Sequence, residues 1–224
     1  RTEKIILLKQ EIERLNIKFL KPDINYSDSL FSIETNKNLK SIRFGLGAIK
    51  GVGIKSISSM VQERNKNGKF KNIIDFMNRA PKDVVNKRQL EKLVQSGAFD
   101  SIEMNRSKLF QNVPKFIDLY GGEKNINQDM LFEENEISFD DKNLFNQDYN
   151  KWKNSEILSN ELDVIGFYFS DHPLNDYPNK FFQLENISLF KDQSESDLKS
   201  VKVCGAVLDI KERSNKDGKK YAFI

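Results

Sequence analysis

The chain has 224 residues, 38% of them hydrophobic and 31% charged, and carries a net charge of +3 at pH 7. Its apolar residues are too dispersed for a membrane span, and +3 falls short of the strongly basic character expected of a whole-chain nucleic-acid binder. One cysteine (Cys204) and one histidine (His172) exclude a disulfide framework and a Cys/His zinc site.

In chain order, Ile5, Leu8, Ile12 and Leu15 recur at helical spacing among charged residues and predict an amphipathic helix ending near Asn16. Ile17–Leu20 is a short apolar run stopped by Pro22. Leu30–Ile33 and Leu39–Phe44 read as extended segments joined by the polar turn Thr35-Asn36-Lys37-Asn38, a small hairpin. The most informative stretch is Ile42–Arg64. There Ile49-Lys50-Gly51-Val52-Gly53 sets two glycines one residue apart before a helix carrying Ile54, Ile57 and Val61 on one side. Glycine allows φ > 0 and close approach by another backbone, and the first helical turn offers unpaired N–H groups at the positive end of the dipole. With Lys50 and Lys55 beside it the turn is a candidate anion cradle. A glycine corner closing two packed helices fits the same residues equally well.

The helix is expected to stop at Asn65-Lys66-Asn67-Gly68, and Ile73–Asn78 reads as a short helix before Pro81. A second unit then repeats the grammar. Lys87–Gln95 carries Leu90, Leu93 and Val94, Ser96-Gly97-Ala98-Phe99-Asp100 breaks it, and Asn105 is placed to cap a helix bearing Leu109, Phe110, Val113, Phe116, Ile117 and Tyr120. This copy lacks the Gly-x-Gly pair and is the weaker phosphate site. Charge is distributed unevenly along these units. Asn36–Phe110 holds 16 Lys/Arg against 6 Asp/Glu, whereas Gly121–Asn150 holds 8 Asp/Glu against 2 Lys.

Gly121–Asn150 reads as a long acidic loop or linker, interrupted by Gln128-Asp129-Met130-Leu131-Phe132. Bulky apolar residues in such a loop either pin it to the helical domain or form a short linear motif that fills a pocket on a partner. Trp152–Ile165 returns to helix and Gly166 ends it. Val201–Ile210 is β-rich, and Asp217-Gly218 is a hairpin turn leading into Tyr221–Ile224. Lys202, Lys211, Arg213, Lys216, Lys219 and Lys220 surround that hairpin with Tyr221 and Phe223 beside it. This combination suits single-stranded nucleic acid, or is simply a solvated hairpin. No signal peptide is visible, and both ends read as cut from a longer cytoplasmic protein.

No catalytic constellation emerges. Glu133, Glu134, Glu136, Asp140 and Asp141 fall in the loop, Glu11 and Glu13 lie on different faces of a helix, and Asp209 is alone on its strand. A two-metal phosphoryl-transfer site needs carboxylates fixed about 3.5–4 Å around paired ions. His172 in Asp171-His172-Pro173 reads as a structural corner.

The Gly51-Val52-Gly53 turn resembles the helix-hairpin-helix, a module that grips DNA phosphates without reading bases. The order of the pieces resembles the C-terminal half of the bacterial C-family replicative polymerases, the DNA polymerase III alpha subunits. The words that carry this are Pro22-Asp23-Ile24-Asn25-Tyr26-Ser27, Gly45-Leu46-Gly47-Ala48-Ile49-Lys50-Gly51-Val52-Gly53, Val85-Asn86-Lys87-Arg88 through Ser96-Gly97-Ala98-Phe99-Asp100, and Asn105-Arg106. Ile165-Gly166-Phe167-Tyr168-Phe169-Ser170-Asp171-His172-Pro173-Leu174 and Val203-Cys204-Gly205 complete the series.

The resemblance implies a mainly α fragment with small β elements. Residues 1–35 would end the fingers region, 36–120 would form a tandem helix-hairpin-helix domain on duplex DNA, and 121–150 an acidic loop with a clamp-binding peptide. Residues 151–198 would form a connecting helix and corner, and 199–224 the start of an OB-fold near the single-stranded template. Lys50, Gly51, Val52, Gly53, Lys55, Lys87, Arg88 and Arg106 would meet DNA phosphate. Gln128, Asp129, Met130, Leu131 and Phe132 would dock on the sliding clamp, and other replicase subunits are further expected partners. The palm aspartates and the magnesium they hold would lie outside this stretch, so the fragment is expected to carry no cofactor, no catalytic residue and no membrane contact. Two departures from the family are visible. Ile57 stands where helix-hairpin-helix units often have a small residue, implying looser helix packing, and Asp171 stands where the family usually has Gly. Rival readings are a helix-hairpin-helix repair enzyme of the glycosylase kind, for which Asp75 is the nearby acid, and an interaction scaffold that binds no DNA.

Overall fold

A computed structural model describes residues 2–37, 39–120, 148–177, 205–207, 210–215 and 217–223. They fall into two units, Arg1–Ser170 and Asp171–Ile224. The fold is mainly α with small β elements.

The first unit opens with α1 (Thr2–Arg14) and β1 (Lys18–Leu20), followed by the hairpin β2 (Ser32–Asn36) and β3 (Leu39–Arg43). β3 is central: β2 pairs with it antiparallel, and β1 runs parallel to it on the other side. Five helices follow: α2 (Ile54–Asn67), α3 (Ile73–Arg79), α4 (Lys87–Gln95), α5 (Arg106–Tyr120) and α6 (Asn154–Val164). Of the helix ends, Asn105 and Gly68 are the two that the sequence marked. Asn72 and Asn86 accept from the N–H groups of Asp75 and Gln89, and Asn105 from that of Lys108, while Gly68 ends α2 at φ +86°.

Several faces differ from the periodicity. Leu8 of α1 and Leu15 just after it are exposed, whereas Ile5 and Ile6 touch the core. On α2 the buried side is Ile57, Met60 and Arg64. Ile54 is 41% exposed, and its side chain lies over Gly47, where a Cβ would come within 2.7 Å of it. The element immediately before the Gly51 turn is a single 3-10 turn, Leu46–Ala48, and not an α-helix. Gly45 explains this: a Cβ there would sit 2.4 Å from the Leu30 carbonyl carbon, so the chain is pressed against residues 28–31. Ile57 is fully buried.

Two aromatic groups hold the core. Phe19, Phe44, Phe167 and Phe169 form one, with Phe31 against it; Phe70, Phe76 and Phe99 form the other, with edge-on contacts at 5.0 and 4.9 Å. Each buried Phe contributes about 1.5–3 kcal/mol. Thus Phe167 and Phe169, which follow α6, are anchored on the first β-strand. Trp152 meets Phe110 at 5.5 Å, and the Tyr149 carbonyl accepts from Asn105, so the chain returns to α5 just before α6.

In the second unit Pro173–Asp176 forms a 3-10 turn, where His172 Nδ1 accepts from the Leu174 N–H and Asp171 accepts from the His172 N–H. His172 therefore serves a corner. β4 (Lys211–Ser214) and β5 (Lys220–Phe223) pair antiparallel about Gly218 at φ +76°. Tyr221 and Phe223 lie edge-on at 5.6 Å, and Arg213 sits over the Phe223 ring. Gln128–Phe132, Val203 and Cys204 lie outside the described residues. Among the described residues no helix is long and apolar enough to cross a membrane.

Candidate nucleic-acid interface

The Gly51 turn is tethered from two directions. Gly51 takes φ +85°, which an L side chain adopts only at a cost. The Lys50 N–H donates to the Val164 carbonyl at the end of α6 (2.9 Å), and the Gly53 N–H donates to Gln89 Oε1 on α4 (2.9 Å). Gln89 is buried, and its amide donates in turn to the Asp83 carbonyl. Both ends of the turn are thereby fixed to helices that come much later in the sequence.

The three central residues divide the work differently from the sequence expectation. Val52 is buried and its N–H is spent on the Ile49 carbonyl (3.2 Å), so it pins the turn to the core and offers nothing to a phosphate. Gly53 has ordinary extended backbone (φ −84°), and its N–H is taken by Gln89. It caps α2 without a side chain, leaving the first-turn N–H groups of Ile54, Lys55 and Ser56 with no side-chain cap. Gly51 is the position that requires glycine. A Cβ there would stand 3.4 Å from Arg88 Nε and 3.5 Å from Lys92 Cγ, so two cationic side chains of α4 lean on the turn. Lys50, Lys55, Lys87 and Arg88 are all exposed. Arg88 and Lys92 come to Gly51 from a helix nearly 40 residues away; Arg88 was expected at the site and Lys92 was not. Its α4 spacing, one turn after Arg88, was the available signal.

Arg106 does not belong to this surface. Its side chain is 6% exposed and donates to both oxygens of Asp100 (2.8 and 2.7 Å), to Glu161 (2.9 Å) and to Ser170 Oγ. Glu161, 0% exposed, also accepts from the N–H groups of Phe169 (2.7 Å) and Ser170 (2.9 Å) and from the Ser170 hydroxyl. Burial pulls the Arg106 pKa down, but Asp100 and Glu161 outweigh it and the net direction is up. The guanidinium lies over Gly97 (φ +76°), where a Cβ would fall 2.2 Å from it. The second glycine turn is thus filled by the protein's own arginine.

The basic excess is also smaller at the surface than in sequence. Arg43, Arg64, Arg79, Lys92, Arg106 and Lys108 are each held by a carboxylate. Arg64 is buried and donates to the carbonyls of Ile24 and Ser27 as well as to Asp28, tying α2 to the Pro22–Ser27 loop. Asp75 accepts from the Lys71 N–H and from Arg79 at the start of α3. That is the geometry of a helix brace and not of a base-excision acid. Among the described residues no group of three or more His, Cys, Asp or Glu could hold a metal ion.

At this site a turn with a glycine in the left-handed region feeds a helix without a side-chain cap, and the family model described as "Helix-hairpin-helix motif" matches residues 16–109. The chain is 37% identical over 209 residues to the DNA polymerase III subunit alpha of Neisseria meningitidis serogroup B, covering 93% of this chain and 18% of that protein. It is 31% identical over 226 residues to that of Borreliella burgdorferi (99% and 19%), and 32% identical over 216 residues to that of Staphylococcus aureus (96% and 19%). From end to end the chain is homologous to one segment of the DNA polymerase III alpha subunits, and it spans about a fifth of their length.

Proposed function

We propose that this segment holds duplex DNA, and the sliding clamp around it, for a bacterial replicative polymerase of the cytoplasm. The observation that carries the reading is the Gly51 turn: a left-handed glycine, an α2 start with no side-chain cap, and Lys50, Lys55, Lys87 and Arg88 exposed around it. Backbone N–H groups and cations of this kind suit phosphate oxygens and carry no sequence information, as processive synthesis requires. Val52 and Arg106 are left out of the phosphate-binding set.

Gln128–Phe132 supplies the second hold. Gln128 offers paired hydrogen bonds, Leu131 and Phe132 offer apolar anchors, and the acidic residues around them discourage the peptide from lying on DNA. A ring tether makes rebinding to DNA intramolecular, so modest phosphate contacts suffice. The β4–β5 hairpin, with Lys211, Arg213, Lys219, Lys220, Tyr221 and Phe223, would face single-stranded template, and other replicase subunits would complete the assembly. Nucleotidyl transfer needs divalent metal at a carboxylate site. In this reading that chemistry belongs to another part of the polymerase.

Two measurements test the reading. If Lys50 and Lys55 each neutralise one phosphate, replacing both by Ala lowers the slope of log K against log salt by about 1.8; an unchanged slope removes the cradle. Leu131→Ala with Phe132→Ala is expected to abolish clamp binding in a pull-down and to leave duplex affinity intact, and retained capture would return that peptide to a loop anchor.

A further inference from the structure

Lys92 and Asp163 form an ion pair at the mouth of the Gly51 turn that neither the fold nor the proposed phosphate grip accounts for. The Lys92 stem passes beside Gly51, where its Cγ would be 3.5 Å from a Cβ, and its ammonium meets Asp163 Oδ2 at 2.9 Å. Asp163 is 63% exposed and Lys92 28%. The neighbouring groups hold both partners near the turn: Val164, next to Asp163, accepts the Lys50 N–H, and Gln89 of α4 accepts the Gly53 N–H. Arg88, one turn earlier on α4, leans on the same glycine.

We propose that Asp163 is a built-in competitor for DNA phosphate, holding Lys92 when the turn is empty and releasing it to a backbone phosphate seated at Gly51. The inference rests on the duplex-binding reading and names one more cation in it, together with the anion that restrains it. An exposed Lys–Asp pair is worth little in water, so exchanging one carboxylate for a phosphate of the densely charged duplex is favourable or close to neutral. A grip with such a counter-charge releases each phosphate readily, which suits a protein that must travel along its duplex while another contact retains it.

The test is a salt series of fluorescence-anisotropy titrations with a short labelled duplex and the 224-residue chain. Lys92→Ala is expected to lower the salt slope by about 0.9, and Lys92→Gln, which keeps the stem against Gly51, to do the same. Asp163→Asn is expected to tighten binding about threefold, a typical worth of an exposed pair, and to have no effect once Lys92 is Ala. Equal tightening in both backgrounds would mean that Asp163 acts only as a distant negative charge, and would overturn the exchange. An unchanged slope in both Lys92 variants, while Lys50→Ala with Lys55→Ala still lowers it, would overturn the role of Lys92 alone. If neither set lowers the slope, the cradle and its competitor fall together.

Discussion

Gly51 and Gly97 occupy matching corners of the fold, each in the left-handed region (φ +85° and +76°), each with an arginine from a later helix against it. Around Gly51 the arginine is exposed Arg88, at ordinary contact distance. Around Gly97 it is Arg106, buried and bound by Asp100 and Glu161. The same local grammar therefore makes an open corner in one place and a sealed one in the other. What separates them is whether carboxylates are supplied from inside the protein. Asp100 and Glu161 already do for Arg106 what a phosphate would do for Arg88, Lys50 and Lys55.

The sharpest way to break the comparison is to unseal the second corner. Arg106→Met is expected to destabilise the chain by about 3–5 kcal/mol in urea unfolding, because Glu161 is left buried without its cation; a loss under about 1 kcal/mol would mean the pair is not structural. Next, Gly97→Ala is expected to cost about 2–4 kcal/mol, combining an unfavourable φ with displacement of a pinned guanidinium. Gly51→Ala meets only the side chains of Arg88 and Lys92 and is expected to cost about 1 kcal/mol. Equal losses at the two glycines in parallel melts would erase the distinction between them.

Gln89→Leu strips the Gly53 N–H and the Asp83 carbonyl of their partner and is expected to cost about 1–3 kcal/mol by the same unfolding measurement. Smallest in stability is Arg88→Ala, within about 0.5 kcal/mol of wild type because the side chain is exposed. Its readout is instead DNA binding, where the salt slope is expected to fall by about 0.9. Arg106→Lys, assayed well below its melting temperature, is expected to leave that slope where it was.

Much of the frame was readable in advance for local reasons. Asn105 and Gly68 mark helix ends through their own hydrogen bonding and φ preferences, and periodicity placed α2 to α5 close to where they lie; the caps at Asn72 and Asn86 emerge only in the structure. The faces were less readable. Ile54 and Leu8 looked like core by spacing, but the neighbours that decide burial arrive from distant sequence.

The candidate site divides along the same line. That glycine stands before an uncapped, cation-flanked helix is written in Lys50–Lys55 itself, because φ preference and helix-end N–H groups are properties of a few consecutive residues. Which N–H groups stay available was decided by Gln89, Ile49 and Val164, and which arginine faces outward was decided by Asp100 and Glu161. Charge can be counted along a chain, but a charge binds a ligand only if no internal partner has taken it, and those partners are brought together by the fold.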